Sequence, residues 1–261
     1  MTPGDAFYIG WEPRAAAPLG RFVRARVAAL LLAVACLGAA LAASQAPFPA
    51  SRFEFGVART FTGRVEHVPY PTLVVERPGA TTTHSRYLLT VFGKRGAEAV
   101  TAPLEGHNVR FQGSLIHRDS VTMIELAPDS LEDLGPSVTQ GAAQGAARGL
   151  GEGAARAPEQ RLRLAGEIVD SKCFLGVMKP GNLKTHRACA VRCISGGVPP
   201  VLLVRDDEGR ATYYLLVDEQ GGAVNARVLD LVAEPVTIEG RVVTRDGLAI
   251  LYADPASYTR R

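Results

Sequence analysis

The sequence predicts a mainly β protein: an N-terminal transmembrane helix, then two related OB-like small β-barrel domains, the second carrying a Cys/His-containing insertion with a short helix. Three observations predict it. An uncharged apolar run follows an arginine cluster near the N-terminus. A stretch of 42 residues recurs at a constant offset. Three of the four cysteines and one of the five histidines fall within the 24 positions from Asp170 to Cys193.

The apolar run comes first. Arg21, Arg24 and Arg26 directly precede it, and the next arginine is Arg52. Its strongly apolar part, Val27 to Ala43, is 17 residues long, the lower bound for a helix crossing a bilayer core. Ser44 to Pro47 can lie in the far headgroup region. Arginines on the leading side alone follow the positive-inside pattern. Residues 1–26 are therefore expected to be a cytoplasmic tail and 27–46 a single-pass anchor, with the later domains extracytoplasmic. Two other fates are open: cleavage at "ALAAS" as a signal sequence, and lipidation of Cys36. All three export the remainder. The segment "GWEPRAAAP" ahead of the anchor is available to a neighbouring membrane subunit.

The repeat organises the rest. Tyr87–Pro128 and Tyr214–Pro255 align without a gap at an offset of 127, with 10 of 42 positions identical. The shared features are a Tyr-Leu-Leu start, a Val-x-x-x-Gly before a strand, an Arg-Asp turn and a closing proline. Each copy has an opening strand with a glycine, Gly63 in "RTFTGRVEHV" and Gly166 in "RLRLAGEIVD". From that glycine to the Tyr-Leu-Leu start is 24 residues in the first copy and 48 in the second. The cysteine-rich segment accounts for the excess, so it reads as an insertion.

Local patterns give the β class. "VRFQGSLIHR" and "VTIEGRVVTR" alternate apolar and polar residues, as half-buried strands do. Asp246-Gly247 supplies the positive φ angles of a tight hairpin. "AVNARVLDLVAE" reads as a short helix. Five strands and a helix in about 80 residues is the count of an OB-like barrel, with a small sandwich as the alternative. The domains are placed at 52–130 and 161–261, the insertion at about 170–197. Residues 131–160, rich in Gly and Ala, cannot bury a core and read as a flexible linker.

The insertion carries the chemistry. Its pattern is Cys173-x12-His186-x2-Cys189-x3-Cys193. With Thr185 capping a short helix, spacings of three and four stack His186, Cys189 and Cys193 on one face, and Cys173 can fold over them. Three sulfurs and an imidazole form a ligand set for zinc, and thiolates also suit Cu(I). Asp170 is placed to accept from the ligating histidine. Lys172, Lys179, Lys184, Arg187 and Arg192 surround the group and favour thiolate, or else face an anionic partner. Outside the cytoplasm a disulfide plus a free thiol is an equally concrete reading. It would pair Cys173 with one of the other two, because Cys189 and Cys193 in one regular helix point in nearly parallel directions.

The segments Asp-x-x-Cys, His-x-x-Cys-Ala-x-x-Cys and Gly-Gly-x-Pro-Pro together resemble a motif of uncharacterised exported or membrane-anchored bacterial proteins. The resemblance spans about 35 residues and implies a functional segment, without an activity; the bacterial inner membrane is expected from the N-terminal apolar run.

Other residues carry less. His67, His84, His107 and His117 lack mutual ligand spacing and read as surface or turn residues, and "VPYPTL" reads as a rigid loop. There are no paired carboxylates at recognisable spacing, no Gly-x-Ser-x-Gly, no phosphate-binding glycine loop and no Cys-x-x-Cys-His. The expectation is thus an accessory or binding protein with a Cys3His metal or redox site, acting beside a membrane-protein partner subunit in electron transfer or metal handling. A thiol-disulfide redox enzyme and a disulfide-stapled interaction module are the alternatives. Nucleic acid is excluded as a partner on a net charge of +3, 7% aromatics and no basic stripe.

Overall fold

The computed structural model describes residues 17–44, 51–78, 84–137 and 161–261. The chain divides into two units, Met1–Pro47 and Phe48–Arg261. In the first, helix α1 (Ala17–Ser44) begins ten residues before the apolar run, taking in the three arginines. Its 28 residues span about 42 Å at 1.5 Å per residue. With a hydropathy of 2.4 and no buried residue, it is long and apolar enough to cross a membrane. Residues 1–16 and 45–46 of the expected tail and anchor lie outside the described residues.

The second unit is β. Its first half holds β1 (Ser51–Phe53), β2 (Arg59–Glu66), β3 (Thr72–Glu76), β4 (His84–Val91), β5 (Arg95–Gly96), the one-turn helix α2 (Glu98–Thr101), β6 (His107–Arg118), β7 (Val121–Leu126) and β8 (Glu132–Pro136). Its second half holds β9 (Arg161–Asp170), helix α3 (Arg187–Ser195), β10 (Pro200–Arg205), β11 (Ala211–Val217), β12 (Pro235–Arg245), β13 (Leu248–Tyr252) and β14 (Thr259–Arg260). In the first half β2, β3, β4, β7 and β6 close a ring. In the second, β9, β10, β11, β13 and β12 do the same. Each ring contains one parallel pairing, β4 with β7 and β11 with β13. Their registers match at an offset of 127: Leu88 faces Met123, and Leu215 faces Ile250. These are OB-like five-stranded barrels.

The Tyr-Leu-Leu stretches show why both barrels need adjacent leucines. Successive strand residues point to opposite faces. Leu89 packs inside the first barrel with Val65, Phe111 and Ile124, and Leu216 packs inside the second with Ile168, Ile238 and Leu251. Leu88 and Leu215 point the other way, into a third core that the two barrels share with Tyr70, Ile116, Phe174 and Tyr213. A fully buried leucine contributes about 1.5–3 kcal/mol, so this seam is a major part of the unit's stability. The opening-strand glycines have a steric cause. A Cβ on Gly63 would lie 2.6 Å from the Val74 carbonyl oxygen, and one on Gly166 would lie 2.4 Å from that of Leu203.

Two local expectations are corrected and a third is met. Strand β8 pairs with β6, so the first barrel's sheet runs into the segment expected as linker from 131. Residues 138–160 of that linker lie outside the described residues. "AVNARVLDLVAE" forms two one-turn 3-10 helices, Asn225–Arg227 and Leu229–Leu231, in place of one helix, with Val224, Val228 and Val232 buried in the core. The hairpin turn at Asp246-Gly247 has the positive φ angles expected of it, 49° and 84°.

Candidate metal centre

The connection from first to second strand of each barrel decides where the chemistry sits. In the first barrel it is residues 67–71, and in the second residues 171–199. The long connection leaves β9 through a π-turn at Cys173–Val177, passes a 3-10 turn at Lys184–His186, and enters α3. His186, not Thr185, occupies the N-cap position of α3, and no side chain caps it. Of the expected face, Cys189 and Cys193 lie within the helix and His186 at its mouth.

Asp170, fully buried at the end of β9, orders the group. One carboxylate oxygen accepts from the Cys173 backbone N–H at 2.8 Å. The other lies 3.0 Å from Nε2 of the buried His186. That engages Nε2, and a carboxylate in this position fixes the orientation of the imidazole ring.

The sulfurs converge from two elements. Donor atoms of Cys173, His186 and Cys189 all lie within 4.8 Å of one another, close enough to hold a metal ion. Those of Asp170, Cys173 and Cys193 do the same. Cys173 therefore belongs to both groups, and Cys193 joins it beside Asp170. All three cysteines are free, with Cys173 Sγ 3.9 Å from Cys189 Sγ. Cys173 and Cys193 are buried and Cys189 is partly open to solvent. The Cys173 thiol donates to Cys193, which raises Cys173 and lowers Cys193. Burial and the Asp170 charge push Cys173 up further.

Two residues that sequence reasoning missed come from the first barrel. Lys94, in the β4–β5 hairpin, places Nζ 2.6 Å from Cys189 Sγ. That hydrogen bond is the largest cause of the raised pKa of Lys94. Glu125 of β7 pairs at 2.5 Å with Lys172, which also donates to the Val91 and Gly93 carbonyls at 2.7 Å each. Lys172 was expected to face the thiols or a partner. It is buried and clamps the insertion to the first barrel instead.

The four first-half histidines do not join a donor group among the described residues. His67 contacts Glu105 and Thr101, His107 contacts Asp133, and His117 lies 3.8 Å from Glu54. The "VPYPTL" loop fastens the first barrel to the second, because Tyr70 donates to the Leu216 carbonyl and accepts from the Val224 N–H.

No protein-family model and no curated protein matches the chain. Among solved structures, a deletion variant of the single-stranded DNA binding protein from Thermus aquaticus is similar, at 14% identity. The match covers 82% of this chain and 88% of that one, with a TM-score of 0.24. At that value the description as OB-like rests on the strand pairings. The sequence-based exclusion of nucleic acid is nevertheless withdrawn, since the neighbour is a single-stranded-DNA-binding protein. What that protein binds remains a statement about that protein.

The expected membrane-protein partner subunit is withdrawn as well. Of the five cations named around the thiols, three have partners within the chain: Lys172 with Glu125, and Lys184 and Arg187 with Glu234.

Proposed function

We propose that this is a metal-binding protein, with Cys173, His186 and Cys189 as ligands and Cys193 completing the set on a soft ion, zinc or Cu(I). The observation that carries the reading is the convergence of the Cys173, His186 and Cys189 donor atoms within 4.8 Å of one another, with Asp170 holding both Cys173 and His186 in place. Both Asp170 oxygens are engaged, so Asp170 orients rather than ligates. Thiolates and an imidazole are the donors such ions prefer. In this reading α1 is a single-pass anchor with its arginine end in the cytoplasm, and the barrels, copies of one ancestral unit, lie outside the bacterial inner membrane.

The test is metal content by mass spectrometry on the full chain, purified in detergent without chelator, beside a thiol count after denaturation. The expected result is about one metal per chain with all four cysteines titrating, the metal being lost in Cys189→Ser. Metal-free protein with four thiols sinks the reading.

One observation favours a second reading, thiol-disulfide exchange. Cys173 and Cys189 have their sulfurs 3.9 Å apart, and the more open of the two carries the lysine. Transfer of two electrons and two protons to an external disulfide would join them. That reading expects no metal, two free thiols, and a reversible change on adding reductant.

A further inference from the structure

We infer that Lys94, supplied by the first barrel, is a positioning residue of the metal centre in the second, donating to the Cys189 sulfur and offsetting the charge that three thiolates leave on a divalent ion. This rests on the metal-binding reading above and adds a residue from the first barrel to it.

Lys94 is held from both sides. On one side, Gly96 N–H donates to the Gly196 carbonyl at 2.9 Å, tying the hairpin to the end of α3. The approach is so close that a Cβ on Gly196 would lie 2.1 Å from the Lys94 carbonyl oxygen. On the other side, Lys172 grips the Val91 and Gly93 carbonyls. Between these anchors the side chain reaches Cys189 Sγ at 2.6 Å. Most surface lysines have no such constraint and pair weakly with whatever is near.

The charge balance gives the lysine a consequence. Three thiolates and a neutral imidazole on a divalent ion leave one net negative charge, which one ammonium cancels. On a monovalent ion the same ligands leave two, which the ammonium also offsets. A hydrogen bond to a ligating sulfur and a nearby cation both stabilise the thiolate form. Lys94 therefore favours retention of all three thiolates on the bound ion.

The experiment uses the full chain in detergent, with Co2+ as the optical probe and Zn2+ in competition with a chromophoric chelator. In Lys94→Gln, Zn2+ affinity is expected to fall roughly tenfold, the scale found when outer partners of metal ligands are removed. The thiolate-to-cobalt charge-transfer band is expected to lose about a third of its intensity, one sulfur in three. Lys94→Arg, which keeps the charge, should stay within about twofold of wild type. The apo unfolding temperature should be the same in all three proteins.

Equal Zn2+ affinity and equal cobalt bands in wild type and Lys94→Gln would overturn the inference while leaving the metal site standing. So would a lowered apo unfolding temperature that accounts for the affinity loss, since Lys94 would then only fasten the barrels. A wild-type chain that gives no cobalt band fails earlier, at the metal reading, and takes this inference with it.

Discussion

The two connections between first and second barrel strands make the sharpest comparison in the molecule. Both leave their own barrel and dock on the other. In the first, residues 67–71 send the Tyr70 hydroxyl to the Leu216 carbonyl and Val224 N–H. In the second, residues 171–199 send the Lys172 ammonium to the Val91 and Gly93 carbonyls. The phenol crosses as a neutral group and needs no counter-charge. The ammonium needs Glu125, and it comes with a cysteine cluster behind it. The same topological position thus serves as a plain fastener in one barrel and as the base of a site in the other. The difference is length: the short loop has room for one anchoring residue, the long one for an anchor, a helix and four donors.

Breaking the charged half of this exchange should have the largest effect. Lys172→Met leaves Glu125 and two carbonyls buried without their donor, and removing one partner of a buried pair costs about 3–5 kcal/mol. Denaturant unfolding of the variant should show that loss, and Lys172→Met with Glu125→Leu should recover most of it. Breaking the neutral half should cost less. Tyr70→Phe keeps the ring in the seam and takes one partner each from the Val224 N–H and the Leu216 carbonyl, for about 1–2 kcal/mol by the same measurement. If the two losses are equal, the charge distinction drawn above is wrong.

The smallest effect concerns pH and a third crossing. Glu66 pairs with Arg64 and Arg86, and Arg86 reaches Asp246 of the second barrel at 3.3 Å. Burial acts to raise the Glu66 carboxyl, but Arg86, Arg64 and Arg245 outweigh it and hold it below the ordinary carboxylate value. A depressed pKa gives stability that is present above the unfolded value, near pH 4.3, and lost as pH falls through the folded one. The wild-type advantage over Glu66→Gln, about 1 kcal/mol at neutral pH, should close below about pH 4. Thermal unfolding between pH 3 and 7 measures this directly, and a gap that widens in acid would refute it.

Much of the fold was legible because strand patterning is local. The Tyr-Leu-Leu starts, the Arg-Asp turns and the opening glycines all mark equivalent places in the two rings. The donors Cys173, His186, Cys189 and Cys193 were visible for the same reason, since they lie on one short segment. Lys94 was not, because it sits 95 residues from the sulfur it touches. Its only signal was a tight Gly-Lys-Arg-Gly turn, which any hairpin could carry. Lys172 misled for a related reason: a lysine beside a cysteine suggests thiolate chemistry, and only the fold shows its ammonium turned toward Glu125.

The shared core of Leu88, Ile116, Phe174, Tyr213 and Leu215 makes the covalent link between the barrels dispensable. Held by a buried seam and by anchors crossing in both directions, the halves would remain partners if the chain were cut between Ser137 and Arg161. The peptide bond there sets the order of synthesis and the local concentration of one half around the other, and the interface does the holding. A gene encoding the two halves as separate chains would, on this architecture, still yield one particle.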